Sequence, residues 1–545
     1  MITTKHLTGD IYGGVTAAIV ALPLALAFGV QSGMGAIAGL YGAIALGFFA
    51  ALFGGTETQV SGPTGPMTVV SSSIIATEIA TYGSVEAAFP TIIATFVLAG
   101  IFLVVMGLLR IGQYIRYMPY PVVSGFMSGI GFIIVILQIF PFFGLKAPLK
   151  IVDTFTNIGQ IASGINMQAV ALSTATLAII YLFPRITKKV PSTLVALLVL
   201  TVVSVLLGLD VPIIGDIPKG LPEVHIDTIL GMDWRHPMVM VIPALTLAAL
   251  GAIDSLLTSV VADSMTKTQH DPNKELIGQG IGNAVAGLIG GLPGAGATMR
   301  TVVNIRSGGK TRLSGMIHAV VLLMVLLGAG VYAKLIPIPV LAGILISVGI
   351  GIIDYKGLKH LMDVPRSDAA VMIIVLLLTV FVDLLQAVAV GMVLAAILFM
   401  KQMADLAESK AVIGALSELE TDIPDEIKNK IRIYHFEGPI FFGFANHLKE
   451  MVKAHPNMCA VIFRMDRVPS IDQSGMYALE DAIYELKKRG IKVVFAGLQS
   501  QPEDMLRNIK VIPELVEEKH IFDTFDTAIK AMKEDWSTFS CEHQD

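Results

Sequence analysis

The sequence predicts an all-α polytopic membrane domain followed by a small α/β domain at the C-terminal end. Of its 545 residues, 54% are hydrophobic and 15% are charged, whereas soluble globular proteins carry about 25% charged residues. Tracts without any charge, such as 94–109 and 371–382, recur up to Met400. From Lys401 onward the composition is that of an ordinary soluble protein. The bilayer must therefore be the solvent of the first part of the chain.

The membrane-spanning helices are predicted from the lengths of the apolar tracts. A helix needs roughly 20 apolar residues to cross about 30 Å of hydrocarbon. By this rule we count about fourteen segments in a membrane domain of residues 1–402, several of them short or broken. The segments are 11–30, 36–54, 64–81, 90–109, 120–140, 167–184, 190–208, 238–262, 276–291, 298–305, 313–333, 336–352, 368–385 and 386–401.

Lys and Arg residues predict the orientation of these helices, because both concentrate in loops on the cytoplasmic side of a membrane. With the N-terminus in the cytoplasm, the loops after the even-numbered segments carry most of them. Arg110, Arg185, Lys274 and Lys356 lie in those loops. We therefore expect a multi-pass protein of the inner (plasma) membrane with both termini in the cytoplasm.

The third and tenth segments each open with a stretch rich in glycine and proline. Pro63 and Pro293 forbid a continuous helix at these two places. Interrupted segments at matching positions of two halves are typical of transporters built from inverted repeats, whose half-helices meet near the membrane midplane. We therefore predict a seven-plus-seven inverted repeat, with halves at about 1–210 and 236–402, and two half-helices too short to span.

Two helix N-termini that face one cavity would make an anion site without any lysine. The first backbone N–H groups of a helix have no partner inside it and sum to about half a positive charge. The alternative interpretation is that the glycines only allow helices to pack closely. We favour the anion site, because both breaks contain proline and their positions match.

Asp254 is a carboxylate in the middle of the eighth segment, where a charge costs about 2.5 to 3.5 kcal/mol to insert. Thr258 lies one helical turn further on the same face. With free carbonyl groups of residues 294–297, these side chains would form an oxygen-lined pocket suited to Na⁺. Alternatively Asp254 would carry a proton, or would be a structural, hydrogen-bonded residue.

Arg300 is the other charge expected to be buried, in the first turn of the tenth segment. It would either strengthen the anion site or pair with Asp254 or Glu78. Phe28 follows the break at Pro23 in the first segment and could line the same cavity, although a single aromatic residue is more often a packing residue.

The tail alternates strand and helix, which predicts one small α/β domain at 429–545 after a linker at 403–428. Either Asp472 or Ser474 can cap its central helix, and phosphorylation of Ser474 is the functional alternative. The predicted strands are 431–436, 460–464 and 493–496, and the predicted helices are 445–454, 474–489 and 502–508.

A series of motifs in this order resembles the sulfate permease (SulP) family over nearly the whole chain. The motifs are Gly39-Leu-Tyr-Gly42, Gly62-Pro-Thr-Gly-Pro-Met67, Gly251-Ala-Ile-Asp-Ser255, Asn273-Lys-Glu-Leu276, Gln279-Gly-Ile-Gly-Asn283, Arg300-Thr-Val-Val-Asn304 and Gly308-Gly-Lys-Thr311. The resemblance implies a transport core that moves against a gate domain, and a homodimer. The tail resembles the STAS domain of these transporters. Asp472-Gln-Ser474-Gly475 stands at the motif that is phosphorylated in anti-sigma antagonists. Ser474 is therefore a candidate regulatory site.

Residues 253–263 and 294–298 are similar to the BicA-type Na⁺/bicarbonate symporters of this family. The resemblance implies that Na⁺ binds to Asp254, Thr258, Gly296 and Thr298. It implies that the anion binds at Thr64, Gly65, Ala297 and Thr298, beside Phe28 and Arg300. Arg300 also resembles the anion-site arginine of proton-coupled members, which keeps coupling to H⁺ open.

We therefore expect a secondary active anion transporter, with Na⁺-coupled bicarbonate uptake as the leading hypothesis. The alternatives are H⁺-coupled uptake of sulfate or a dicarboxylate, and an anion channel or exchanger. An enzyme is disfavoured because no nucleophile–base pair or metal-ligand cluster is recognisable. We expect no cofactor besides the coupling ion. The expected partners are a small inorganic anion, the bilayer, a second copy of the chain and a cytoplasmic regulator of the tail. The net charge of −5 argues against nucleic acid.

Overall fold

The structure is a computed structural model that describes most of the chain. The described residues are 6–146, 151–187, 190–214, 222–231, 238–382, 384–410, 412–415, 430–441 and 458–534. The chain divides into two compact units, Met1–Val393 and Leu394–Asp545.

Fourteen main helices of the membrane part correspond one to one to the predicted segments, within the residues that the structure describes. They are α1 (Leu7–Ser32), α2 (Ala36–Phe53), α3 (Gly65–Tyr82), α4 (Val85–Leu108), α5 (Tyr120–Leu137), α6 (Met167–Leu182), α7 (Ser192–Leu206), α8 (Met238–Thr266), α9 (Pro272–Leu288), α10 (Thr298–Arg306), α11 (Arg312–Ala333), α12 (Ile338–Ile352), α13 (Arg366–Phe381) and α14 (Leu384–Lys410). Seven helices in the described residues are long and apolar enough to cross a membrane, and three shorter ones are apolar. The predicted helical membrane fold is confirmed.

The two helices predicted as half-helices differ in length. Helix α3 has 18 residues, as many as α2, which corresponds to about 27 Å at 1.5 Å per residue. It ends at Gly83, whose φ of 87° is the left-handed cap conformation that glycine favours. Helix α10 has only 9 residues. Helix α10 is therefore too short to span the membrane, and α3 is not among the seven described helices that are long and apolar enough to do so.

The membrane helices pack as two groups. In one group, α9 packs on α2 and α4, α8 packs on α4, and α11 packs on α1 and α2. In the other, α5 packs on α12 and α13, and α6 packs on α12. Small residues allow backbone contact in the first group, since a Cβ added at Gly100 would lie 2.4 Å from the amide nitrogen of Ala284. The transport core and gate implied by the resemblance stay a prediction.

The C-terminal unit contains a five-stranded sheet with helices on both faces. Two short strands, β1 (Ser61–Gly62) and β2 (Ala295–Gly296), belong to the membrane unit. The strands of the C-terminal sheet are β3 (Val412–Ala415), β4 (Ile431–Glu437), β5 (Ala460–Arg467), β6 (Lys492–Ala496) and β7 (Ile521–Phe522). They lie in the order β3-β4-β5-β6-β7, and all pairs are parallel except β3 with β4. The helices are α15 (Gln473–Lys488), α16 (Ser500–Asn508) and α17 (Phe525–Glu534).

Alternating side chains of the sheet form the two cores of this unit. Tyr434 and Phe463 pack with Leu479 of α15 on one face. Ile433 packs with Ile529 of α17 on the other face, because successive residues of a strand point to opposite sides. The α/β architecture predicted for the tail is confirmed.

The structure corrects the predicted linker of the tail and does not describe one of its predicted helices. The interval 403–428, predicted as a linker, contains the end of α14 and the strand β3, which pairs with β4. The predicted helix 445–454 lies outside the described residues. The cap of α15 is Asp472, whose Oδ1 accepts a hydrogen bond from the Gly475 amide at 2.7 Å. Ser474 is exposed in the first turn of α15, and its regulatory role stays a prediction.

Candidate functional site

A short antiparallel pairing of two distant strands brings the starts of α3 and α10 together. In β1 and β2, Ser61 stands opposite Gly296 and Gly62 opposite Ala295. Each strand is followed after a few residues by its helix. The amide of Ala297 extends the pairing by donating to the carbonyl oxygen of Val60 at 2.9 Å. Both helices therefore begin side by side, as the predicted arrangement requires.

The first turns of α3 and α10 lack a side-chain cap, as do those of α1, α2, α5, α7, α12 and α13. The residues before them, Thr64 and Ala297, make no capping hydrogen bond. By contrast, Ser84, Asn166 and Asp271 each cap the helix that follows. Uncapped first-turn amides are hydrogen-bond donors without an intrahelical partner and carry the positive end of the helix dipole. Two such turns side by side can bind an anion.

The hydroxyl of Thr64 is directed at a buried carboxylate instead of at its own helix. Its Oγ1 donates to Oδ2 of Asp254 at 2.7 Å, and the two residues are only 7% and 8% exposed. Asp254 lies in the middle of α8. The charge in the centre of the membrane domain is thus held at the start of α3.

Three of the residues proposed for Na⁺ form one hydrogen-bonded cluster. Oγ1 of Thr258 donates to the carbonyl oxygen of Gly296 at 3.0 Å and lies 2.7 Å from Oγ1 of Thr298. Ser255 also contacts strand β2, because its Oγ accepts a hydrogen bond from the amide of Gly296 at 3.0 Å. The hydroxyl and carbonyl oxygens, with the carboxylate of Asp254 one turn away on α8, are ligands of the type that a hard cation takes. In the described residues, Asp254 bonds to Thr64 and not to this cluster.

Arg300 is almost fully buried in the first turn of α10, with 2% of its surface exposed. Its Nη2 donates to the carbonyl oxygen of Pro63, directly before α3. Its Nη1 has no partner among the described residues. Neither Asp254 nor Glu78 forms an ion pair with it in the part of the chain that the structure describes. The guanidinium therefore ties the two helix starts together and keeps its charge beside them.

Apolar side chains surround the first residue of α3. A Cβ added at Gly65 would lie 2.7 Å from Cδ1 of Ile134, 2.9 Å from Cδ1 of Ile352 and 4.0 Å from Cζ of Phe28. Phe28 is 2% exposed. Phe28 therefore lies close to Gly65, and Ile134 of α5 and Ile352 of α12 pack beside them. An apolar surrounding strengthens the interaction of an anion with the uncapped amides.

The sequence reasoning missed a polar network behind the site, centred on Glu275 of α9. Its two carboxylate oxygens accept four hydrogen bonds, each 2.8 Å long, from the amides of Gly55 and Thr56 and from the side chains of Gln59 and Gln279. Glu275 is 1% exposed. The network fixes the turn that leads from α2 into β1. The signal in the sequence was an unexplained carboxylate with a glutamine at i+4 in an apolar helix.

Asn283 fixes the second strand in the same way. Its Oδ1 accepts from the amide of Gly294 at 2.8 Å, and its Nδ2 donates to the carbonyl oxygen of Gly294 at 3.1 Å. Helix α9 thus supports both strands, one through Glu275 and the other through Asn283.

Comparison with known proteins gives matches over nearly the whole chain. A family model described as the sulfate permease family matches residues 7–375, and a STAS domain model matches residues 422–528. The bicarbonate transporter BicA of Picosynechococcus sp. is 42% identical over 530 residues, which are 94% of this chain and 93% of that protein.

Two solved structures are also similar. The transmembrane domain of a cyanobacterial bicarbonate transporter BicA is 48% identical, with a TM-score of 0.66, and the match covers 71% of this chain and 98% of that one. The overall structure of SLC26A9 matches 98% of this chain and 92% of its own with a TM-score of 0.82. Its identity is 20%, so this likeness bears on the fold alone.

Proposed function

The chain belongs to the sulfate permease family of anion transporters, which are not enzymes, and on that premise we propose that it takes up bicarbonate together with Na⁺. The observation that carries the proposal is the pair of uncapped helix starts beside Asp254 and an oxygen cluster. The relative that is 42% identical over nearly its whole length is named a bicarbonate transporter, which supports the choice of anion.

In this proposal the anion is bound by the first-turn amides of α3 and α10, and Arg300 adds positive charge. Na⁺ is bound by oxygens of Asp254, Thr258, Gly296 and Thr298. Thr298 belongs to both groups, since its hydroxyl contacts Thr258 at 2.7 Å while its residue begins α10. Each ion would partly neutralise the site for the other, so the two bind better together than singly. Such mutual stabilisation is what couples an anion to a cation.

A one-to-one pair of Na⁺ and bicarbonate carries no net charge. A single uncompensated charge that crosses the membrane is subject to about 2.3 kcal/mol per 100 mV. We therefore expect the initial rate of uptake to be insensitive to an imposed membrane potential.

The rival is H⁺-coupled uptake of sulfate or a dicarboxylate, with Asp254 as the proton carrier. The single hydrogen bond that Asp254 receives in the described residues, from Thr64 to Oδ2, leaves its other oxygen available for a proton. An anion channel or exchanger is the third candidate, and it needs no coupling ion.

Uptake into proteoliposomes separates the three candidates. Labelled bicarbonate is measured with and without an inward Na⁺ gradient, in competition with sulfate, fumarate and chloride. The proposal predicts saturable uptake that requires Na⁺ and is inhibited by none of the other anions at equal concentration. Uptake that is independent of Na⁺, or is driven by a pH gradient alone, contradicts it.

Substituting Gly65 with Ala tests the pocket under Phe28. The added methyl group would meet the ends of two isoleucine side chains, which can move, so the protein should fold. It would narrow the space beside the amides, and we expect the KM for bicarbonate to rise about tenfold. Gly328→Ala is the control, because nothing lies within 4 Å of its added Cβ. An unchanged KM in Gly65→Ala would place the anion elsewhere.

We also propose that the protein is a homodimer of the inner (plasma) membrane, with both termini and a regulator of the STAS domain in the cytoplasm. The distribution of Lys and Arg supports the orientation. Labelling of a cysteine introduced at Ser474 by an impermeant reagent, in closed cells and in inverted vesicles, tests it. Labelling in closed cells would contradict the orientation.

A further inference from the structure

A buried arginine and a buried histidine in the membrane domain have incomplete hydrogen bonds. His318 of α11 is 0% exposed and Arg300 is 2% exposed. Both ring nitrogens of His318 and Nη1 of Arg300 lack a partner among the described residues. Buried polar groups in native proteins are almost always hydrogen-bonded to the protein or to ordered water, so three such atoms in one region need an explanation.

The two side chains lie against the same strand and the same helix. A Cβ added at Gly62 of β1 would lie 2.5 Å from Nη1 of Arg300 and 3.3 Å from Cα of Ala43. A Cβ added at Gly47 would lie 3.0 Å from Nδ1 of His318 and 3.3 Å from the carbonyl oxygen of Ser61. Ala43 and Gly47 are one turn apart on one face of α2. The guanidinium and the imidazole therefore lie against successive turns of α2 and against adjacent residues of β1.

No direct hydrogen bond joins the two groups in the described residues. A neutral imidazole has one donor and one acceptor nitrogen, whereas a guanidinium has only donors. A water molecule can accept from Nη1 and donate to the acceptor nitrogen of the ring. Such waters are common where buried polar groups would otherwise be unsatisfied.

We infer that an ordered water bridges Nη1 of Arg300 and the imidazole of His318, and that His318 is a positioning residue for the anion site. The bridge and the bond from Nη2 to Pro63 hold the guanidinium from two sides. The charge then stays directed at the starts of α3 and α10. The inference rests on the proposed anion role of Arg300, but not on which anion is carried.

A purely structural role of His318 makes a different prediction. A buried histidine that only fills space can be replaced by an aromatic ring of similar size, with no consequence for anion binding. A positioning residue affects the KM for the anion, because a displaced guanidinium weakens binding without stopping the cycle.

The test compares His318→Phe, His318→Gln and wild type in proteoliposomes with labelled bicarbonate and a Na⁺ gradient. We expect His318→Phe to raise the KM for bicarbonate about tenfold, the effect of one lost hydrogen bond to a charged group, while kcat and the half-saturating Na⁺ concentration stay within about twofold. His318→Gln keeps a polar side chain and should restore most of the affinity. His360→Phe is the control, because that ring is half-exposed and contacts Asp363.

Two results would overturn the inference. One is a His318→Phe protein with the KM of wild type, or with a lower kcat and melting temperature but no change in KM. The other is a cryo-EM map that resolves waters and shows no density within about 3.2 Å of both side chains. The map requires neither transport nor a variant. A wild-type protein that fails to take up bicarbonate would instead contradict the proposed function.

Discussion

Asp254→Asn is expected to reduce Na⁺-driven bicarbonate uptake about a hundredfold at equal protein content, equivalent to about 2.7 kcal/mol. The substitution keeps the size of the side chain and an oxygen that can accept the hydrogen bond from Thr64. It removes the negative charge that the proposed cation site contributes. Without that charge Na⁺ gains too little from the remaining neutral oxygens to leave water, and the anion loses its counter-charge.

The initial rate of uptake at a fixed Na⁺ gradient measures this effect. Asp263→Asn is the matched control, because Asp263 lies on the same helix but pairs with His270 at its end. We expect the control to transport within about threefold of wild type, because the substitution changes a pair at the end of the helix and removes no charge from the proposed cation site. An Asp254→Asn protein with more than about a tenth of the wild-type rate, and with Na⁺ dependence intact, would contradict the role given to the carboxylate.

Glu275→Ala is expected to lower the thermal stability of the purified protein by more than about 5 °C and to abolish transport. The substitution leaves four donors without an acceptor, two of them backbone amides of the turn before β1. An unsatisfied buried donor costs about 1 to 3 kcal/mol. The pairing of β1 with β2 depends on that turn, so the two helix starts should separate.

Recovery of monodisperse protein after heating in detergent measures the loss. Glu86→Ala is the control, because Glu86 is an exposed carboxylate in the first turn of α4. Glu275→Gln keeps one acceptor oxygen and should fall between the two. A Glu275→Ala protein that melts with wild type would show that the network does not hold the site.

The sequence predicts best those features that are determined by residues close together in the chain. Pro63 and Pro293 lack a backbone donor and keep the stretches before α3 and α10 out of a continuous helix, and the lengths of the apolar tracts predict the number of helices. Both features act within a few residues. The predicted positions of all fourteen helices therefore correspond to helices of the structure.

The sequence was least informative where distant segments meet. The pairing of Ser61 with Gly296 joins residues that are far apart in the chain, and two-residue strands have no periodicity to recognise. Glu275 was missed for the same reason, since most of its partners come from the turn after α2. Strand β3 lies inside the predicted linker 403–428, because a strand of only four residues gives no recognisable pattern.

The motif that contains Arg300 does not by itself define the partner of its guanidinium. From the sequence, its guanidinium was equally suited to an anion or to a carboxylate. In the structure, Nη2 of Arg300 donates a hydrogen bond to the carbonyl oxygen of Pro63. This bond places the charge between the two helix starts. Its role toward the anion stays a prediction.

A cryo-EM structure of the full-length protein in nanodiscs, with Na⁺ and bicarbonate present, tests the central claim most directly. The account predicts planar anion density within hydrogen-bond distance of the first-turn amides of both α3 and α10, with Thr64 and Thr298 facing it. A map in which these two residues lie far apart or face lipid, or in which the anion binds elsewhere, would contradict it.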